Sequence, residues 1–331
     1  MSVAAPVTSA SRRAAPRFGP AQRIVRLILG RLAAGVGVMW GAATLTFIAM
    51  NATGGDMAIA ILGGPDALPT AAALARVRKD YGLDQPLPVQ YLEYLGRLAH
   101  GDLGESYQLR IPVATAIGEQ VGPTVVLALC GAALALVIAL VVAVMTARRP
   151  RLVRSAASTT ELVVSSMPSF AIGILLLLAF SFRLHLFPVG GDHGWRSLVL
   201  PVVTLALPIA ASHAQVLRQG LEDILDQPFI LMARARGLSE TAVRLGHALR
   251  HACIPFVTIS GFTLTQMLGW VVITETLFAR PGLGRLMVQA TTSSDVPLVV
   301  GITLFVALLC VVINLVVDVL NALIDPRTVI R

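Results

Sequence analysis

The chain has 331 residues, 56% hydrophobic and only 13% charged, far below the roughly 25% charge of an ordinary soluble domain. Its net charge of +8 comes from basic residues scattered between apolar blocks, not from the single stripe or patch that binds nucleic acid. Those blocks are too long and uniform for core strands and match the ~20 residues a helix needs to cross ~30 Å of hydrocarbon, so the reading is an all-α integral membrane protein with the lipid bilayer as its main partner.

Six crossings are expected. After a basic tail at residues 1–23, the first runs over 24–50, with Leu32 to Met50 free of charge. No clean small-residue cleavage pattern follows it, so it reads as a retained anchor and not as a signal peptide. A long segment at 51–120 separates it from the second crossing at Val121–Ala147, and the third is expected as one run from Leu162 to Phe182. The fourth, Ser197–Ala211, is short and contains Pro201 and Pro208, which a membrane helix accepts where neighbours satisfy the freed carbonyls. The fifth spans about Pro255–Thr274 and the sixth Val296–Val317, closing a core at 121–319 ahead of a short tail at 320–331.

Six crossings place both termini on one side, and the arginines say which. Seventeen of the 26 Lys and Arg residues fall on the face that holds both termini and the loops at 148–161 and 216–252. Positive charge concentrates on the cytoplasmic side, which makes that face cytoplasmic and the 51–120 loop external. Lys79 is the only lysine, and Val77-Arg78-Lys79-Asp80 lacks the glycines and the hydroxyl of a phosphate-binding P-loop. Any ATP dependence therefore rests with another chain. Cys130, Cys253 and Cys310 lie in or beside apolar segments without CxxC spacing, and His247 and His251 lack the intervening Glu of an HExxH metal site. No metal site, cofactor site or catalytic pair is expected in this chain.

The most informative polar segment is 216–252. Its pattern is helix, break, helix: Val216–Leu225, then a helix opening at Pro228, a left-handed stop at Gly237 and a new helix capped by Ser239. Phe229, Ile230, Met232 and Leu238 offer apolar contact, Arg234 and Arg236 add charge, and Ala233 and Gly237 permit close approach. Docking to a cytoplasmic partner and contact with anionic lipid both fit this composition. In the membrane, Thr263, Gln266, Asn314 and Asp318 are candidates for a translocation path, because polar side chains there are costly; Asn314, Asp318 and Asn321 share one helix face. The alternative is hydrogen bonding between helices. Glu275, near the external end of the fifth crossing, is expected in a structural salt bridge.

Pro228-Phe229-Ile230-Leu231-Met232-Ala233-Arg234-Ala235-Arg236-Gly237-Leu238, followed by Ala248-Leu249-Arg250-His251, resembles the EAA-type cytoplasmic loop of binding-protein-dependent ABC importer permeases of the dipeptide, oligopeptide and nickel branch. Tyr81-Gly82-Leu83-Asp84-Gln85-Pro86, Gly101-Asp102-Leu103-Gly104-Glu105-Ser106, Glu275-Thr276-Leu277-Phe278-Ala279-Arg280-Pro281-Gly282-Leu283-Gly284 and Leu323-Ile324-Asp325-Pro326-Arg327 are similar to further segments of that branch, in order, over residues 24 to 327. Two departures stand out. Ala52-Thr53-Gly54-Gly55-Asp56-Met57 replaces an Ala-Pro-Gly-Asp-Pro-like turn, and Pro228-Phe229 replaces an Asp-Tyr pair.

The resemblance implies a type I importer architecture with a cytoplasmic coupling helix. Phe229, Ala233, Arg234, Arg236, Gly237 and Leu238 would contact an ATPase. The implied partners are a homologous second permease subunit, two ATP-binding subunits that hold ATP and Mg2+, and an external or periplasmic solute-binding protein. The implied cargo is di- or oligopeptides, with nickel, glutathione or sugars as alternatives. An ATP-independent secondary transporter and a membrane scaffold remain as rival readings of the residues alone.

Overall fold

The computed structural model describes residues 20–52, 57–62, 69–80 and 82–324. Most of the basic tail, the turn at 53–56, Tyr81 and Asp325-Pro326-Arg327 lie outside the described residues, as does the side chain of Asn321. The regular structure of the described part is helical apart from one antiparallel bridge between Glu105 and Pro112. The long first helix, α1, covers Pro20–Ala52, and three short helices follow in the segment expected to be external: α2 (Met57–Ile61), α3 (Ala71–Asp80) and α4 (Leu87–Ala99). Then come α5 (Val113–Thr146), α6 (Arg151–Ser166), α7 (Ser169–Leu176) with a π-helical extension to Arg183, α8 (Trp195–Leu225), α9 (Pro228–Ala235) and α10 (Glu240–Ala242). A π-helical turn at Val243–Ala248 leads into α11 (Leu249–Leu277), and α12 (Leu283–Thr292) and α13 (Val296–Ile324) complete the order.

Among the described residues, four helical stretches are long and apolar enough to cross a bilayer: Ile28–Ala49, Val113–Thr146, Trp195–Leu225 and Val296–Val319. A fifth results if α6 and α7 are counted together, although they meet at 103°. The count is therefore four to five and not the six expected from sequence. One physical cause lies in the third span. Met167 precedes Pro168 and takes the extended conformation (φ −79°, ψ 134°), because the proline ring clashes with a helical predecessor. The run expected as one span from Leu162 to Phe182 is thereby broken into α6 and α7. In α11, where the fifth span was expected, several side chains between 253 and 262 lie outside the described residues, and that helix does not enter the count.

The fourth span is longer than expected. α8 runs unbroken from Trp195 through the stretch expected as a separate helix at Val216–Leu225, and most of its apolar length is buried. Thr204 Oγ1 donates to the Leu200 carbonyl at 2.8 Å, between the two internal prolines of α8. α5 packs along α8 through Ala135, Ala139 and Ala143, all fully buried. Small side chains at this spacing let two backbones approach, which drives association where lipid removes the hydrophobic incentive. Met267 of α11 fills the third side of this contact and is itself fully buried.

Around that core, α13 packs against α1, and the C-terminal end of α1 meets α4. Thr44 Oγ1 and the Tyr91 hydroxyl are 2.7 Å apart, and the Phe47 ring lies 5.2 Å from that of Tyr91 and 5.6 Å from that of Tyr94. Burial, and then the neighbouring Tyr91, push the Tyr94 phenol up to about 12, so its hydroxyl stays protonated.

Candidate functional site

The elbow between α8 and α11 forms as its residues dictate. Pro228 occupies the first turn of α9, where its missing N–H costs nothing. Gly237 stops the helix at φ +83°, and Ser239 Oγ accepts from Ala242 N at 3.3 Å to cap α10. A Cβ added at Gly237 would meet nothing within 4 Å. Within this chain the glycine serves the left-handed backbone.

Of the residues expected to dock, Phe229, Arg236, Gly237 and Leu238 are exposed. Leu231 and Met232 join them at 62% and 72% exposure, and Leu231 was not among the expected contacts. Ala233 faces inward with Ile230, against Leu221, Leu225, Val243 and Ala248. Arg234 is engaged within the elbow: its Nε donates to Glu240 Oε1 at 2.7 Å and its Nη2 to Oε2 at 3.3 Å. That hydrogen bond, reinforced by the charges of Arg234, Arg244 and Arg148, holds the Glu240 carboxyl below its ordinary value. Phe229 meets the His251 ring edge-on at 5.3 Å. The result is a hairpin with an apolar and basic outer face, seated on the ends of α8 and α11.

Below the elbow, α8 is tied to the α5–α6 junction. Arg218 Nη1 and Nη2 donate to Glu161 Oε1 and Oε2 at 2.6 and 2.7 Å, with both side chains less than a tenth exposed. Nη2 also reaches Ser158 Oγ at 3.0 Å and Nη1 reaches Thr146 Oγ1 at 3.5 Å. One helical turn further on, Glu222 accepts from Arg148 N at 3.3 Å and lies 3.8 Å from Arg154 Nη1, while Arg148 pairs with Asp226.

The polar candidates in the membrane divide. Thr263 is fully buried, with its hydroxyl 2.8 Å from His213 Nε2 of α8. Thr265 Oγ1 donates to Asn314 Oδ1 at 3.2 Å, joining α11 to α13, and Asp318 lies 2.6 Å from Arg31 Nε of α1. Gln266 is exposed, on the face of α11 that also exposes Trp270 and Ile273. The structure does not bring these four residues together into one site.

At the other end lie two buried carboxylates, Glu275 and Asp295. Glu275 accepts from Thr124 Oγ1 at 2.7 Å, from Gly284 N at 2.8 Å and from Arg285 N at 3.3 Å. Neutral hydroxyl and amide donors thus take the place of the salt bridge expected from sequence. A Cβ on Gly282 would overlap this carboxylate, and one on Gly284 the backbone of Val272. Asp295 accepts from Ser106 Oγ, from Tyr107 N at 3.2 Å and from Gln108 N at 3.1 Å, fastening the segment after α4 to the start of α13.

Residues 135–330 match the family described as "Binding-protein-dependent transport system inner membrane component", and residues 24–108 match the N-terminal region of such components. The chain belongs to this family. A Brucella abortus (strain 2308) protein bearing the name of a peptide transport system permease is 39% identical over 310 residues, covering 91% of this chain and 98% of its own. The glutathione transport system permease protein GsiC of Salmonella choleraesuis (strain SC-B67) is 35% identical over 304 residues, covering 92% and 98%. The MetNI methionine ABC transporter in an inward-facing form shares the fold, with a TM-score of 0.53 at 19% identity over 65% of this chain and 97% of that chain.

The chain is thus an ABC-importer permease subunit with type I architecture, and the family implies paired permease and ATPase subunits together with an external solute-binding protein. Sequence reasoning missed Arg218, Glu161, His213 and Asp295 in this permease. An intramembrane or juxtamembrane charge is itself a signal worth following, and Arg218 and Glu161 carried it.

Proposed function

We propose that this permease moves di- or oligopeptides inward, in an assembly with a homologous second permease subunit, two ATP-binding subunits and an external solute-binding protein. In this reading α11 completes a sixth crossing, both termini are cytoplasmic, and the outer face of the elbow docks the ATPase through Phe229, Leu231, Met232, Arg236 and Leu238. Arg234 sets the shape of the elbow, and Gln266 contributes to the translocation path. The carrying observation is the elbow itself: a short helix with an exposed apolar and basic face, whose Ile230 and Ala233 pack against α8 and α11.

ATP binding closes the ATPase pair, and that closure favours one arrangement of the membrane helices. A ligand shifts a conformational equilibrium only by its differential affinity for the two states, so the elbow must be stiff enough to transmit the difference. Names of relatives support peptide cargo, and glutathione, itself a tripeptide, is the second reading favoured by GsiC. The test is reconstitution of the full assembly in liposomes with labelled peptides and glutathione offered to the binding protein. ATP-dependent accumulation of peptides is expected. Solute movement by this chain alone under an ion gradient would replace the reading with a secondary transporter.

A further inference from the structure

Arg218 and Glu161 occupy a position that a docking surface alone does not require. α8 runs without a break to Leu225 and passes into α9 through Asp226 and Gln227, so any displacement of the elbow is delivered first to the inner end of α8. There the guanidinium of Arg218 grips Glu161 with both arms, and Ser158 and Thr146 accept its remaining reach. Ser158 and Glu161 stand one helical turn apart on α6, and Thr146 is the last residue of α5. One side chain therefore joins three helices.

The stripe continues along α8 toward the elbow. Glu222 and Asp226 succeed Arg218 at four-residue steps, on one helix face, and engage Arg148 and Arg154 of the α5–α6 junction. The exposed outer pairs contribute little by themselves. The Arg218–Glu161 pair differs because it is bidentate and shielded from water, the geometry that fixes direction as well as distance. α6 meets α7 at 103°, so α6 has the form of a crank arm: rotation at its α8 contact turns α7, and pull on Thr146 moves α5.

We infer that the buried Arg218–Glu161 pair, with Ser158 and Thr146, makes α6 part of the coupling element, so that movement of the elbow reaches α5 and α7 as well as α8 and α11. The pair is a positioning device and touches neither cargo nor nucleotide. A buried ion pair is weak evidence for added stability, since apolar replacements often do as well. A mechanical linkage gives this one a function that stability does not. The inference rests on the importer reading above.

The test uses the complete reconstituted assembly and the double variant Glu161→Gln, Arg218→Gln, which leaves no unpaired charge behind. Three quantities are read: assembly with the ATPase, ATP hydrolysis, and uptake of a labelled mixture of di- to pentapeptides. Normal assembly, hydrolysis within about twofold of the parent, and uptake per ATP reduced about tenfold are expected. Spin labels at Ser155→Cys and Asp223→Cys in a cysteine-free background should keep one distance through the ATP cycle in the parent and two distances in the double variant. Parallel losses of hydrolysis and uptake, or unchanged uptake per ATP, would overturn the inference. Should the double variant fail to assemble, Ser158→Ala with Thr146→Val takes its place, with the same expected direction and the same overturning result. A parent assembly that shows no ATP-driven uptake sinks the importer reading and this linkage with it, whereas a coupled parent with an equally coupled variant removes the linkage alone.

Discussion

Gly237 separates two explanations of why an elbow of this kind carries a glycine. Its φ of +83° lies in the left-handed region, and a Cβ there would meet nothing within 4 Å, so a substitution in the isolated permease is penalised by conformation and not by crowding. An ordinary L-residue in that region costs about 1–2 kcal/mol, while Asn visits it more readily. A β-branched residue is a stronger outlier there than Ala. The expected order of damage is therefore Asn, then Ala, then Val. A cost of about 1 kcal/mol shifts a local opening equilibrium about fivefold, and about 2 kcal/mol shifts it about thirtyfold. Hydrogen exchange of the isolated permease in detergent reads this directly at the amides of Arg236 and Gly237, which donate to the carbonyls of Met232 and Arg234. Gly237→Asn should stay within about twofold of the parent, Gly237→Ala should exchange about fivefold faster, and Gly237→Val should approach thirtyfold. Asn and Val with equal exchange rates would refute the conformational argument and return the explanation to packing.

Thr124 both donates to Glu275 and accepts from Leu283 N, so Thr124→Val should strand a buried amide and lower stability by about 2–3 kcal/mol, seen as faster thermal inactivation in detergent, while Thr124→Ser should stay near the parent. Glu240, with its carboxyl held down by Arg234, contributes order to the elbow above the ordinary Glu range and loses it as pH falls through the lowered value. A carboxyl-carbon titration of Glu240 should place its midpoint below 4.5, the unperturbed value, and Arg234→Gln should move it back up. Thr263→Val should shorten the thermal half-life through loss of the His213 bond and leave cargo preference among peptides unchanged, whereas Gln266→Ala should change that preference. A changed preference in the first variant, or an unchanged one in the second, counts against the division made between them.

Much of the fold was legible because membrane solvation leaves long apolar runs in the sequence. The elbow was legible because its controls are local: Pro228 opens α9, Gly237 ends it and Ser239 caps α10. The break between α6 and α7 was also written locally, in Met167-Pro168, yet the apolar residues on both sides mask it in a window average. α8 was underestimated because Pro201 and Pro208 lower helix propensity, whereas tertiary packing against α5 determines its length. The buried pairings were beyond reach for a different reason. Glu161 and Arg218 are 57 residues apart, Thr124 and Glu275 are 151 apart, and Ser106 and Asp295 are 189 apart. Such contacts are set by the assembled bundle, and no single helix announces its partner.

Met232→Cys in a background lacking Cys130, Cys253 and Cys310 puts one reporter on the most exposed apolar side chain of α9. With a membrane-impermeant maleimide, a cytoplasmic elbow that docks the ATPase requires no labelling in intact cells, rapid labelling in inside-out vesicles stripped of peripheral subunits, and protection when the ATPase subunits are added back. Labelling from outside intact cells, or labelling in vesicles that the ATPase leaves unchanged, would contradict it.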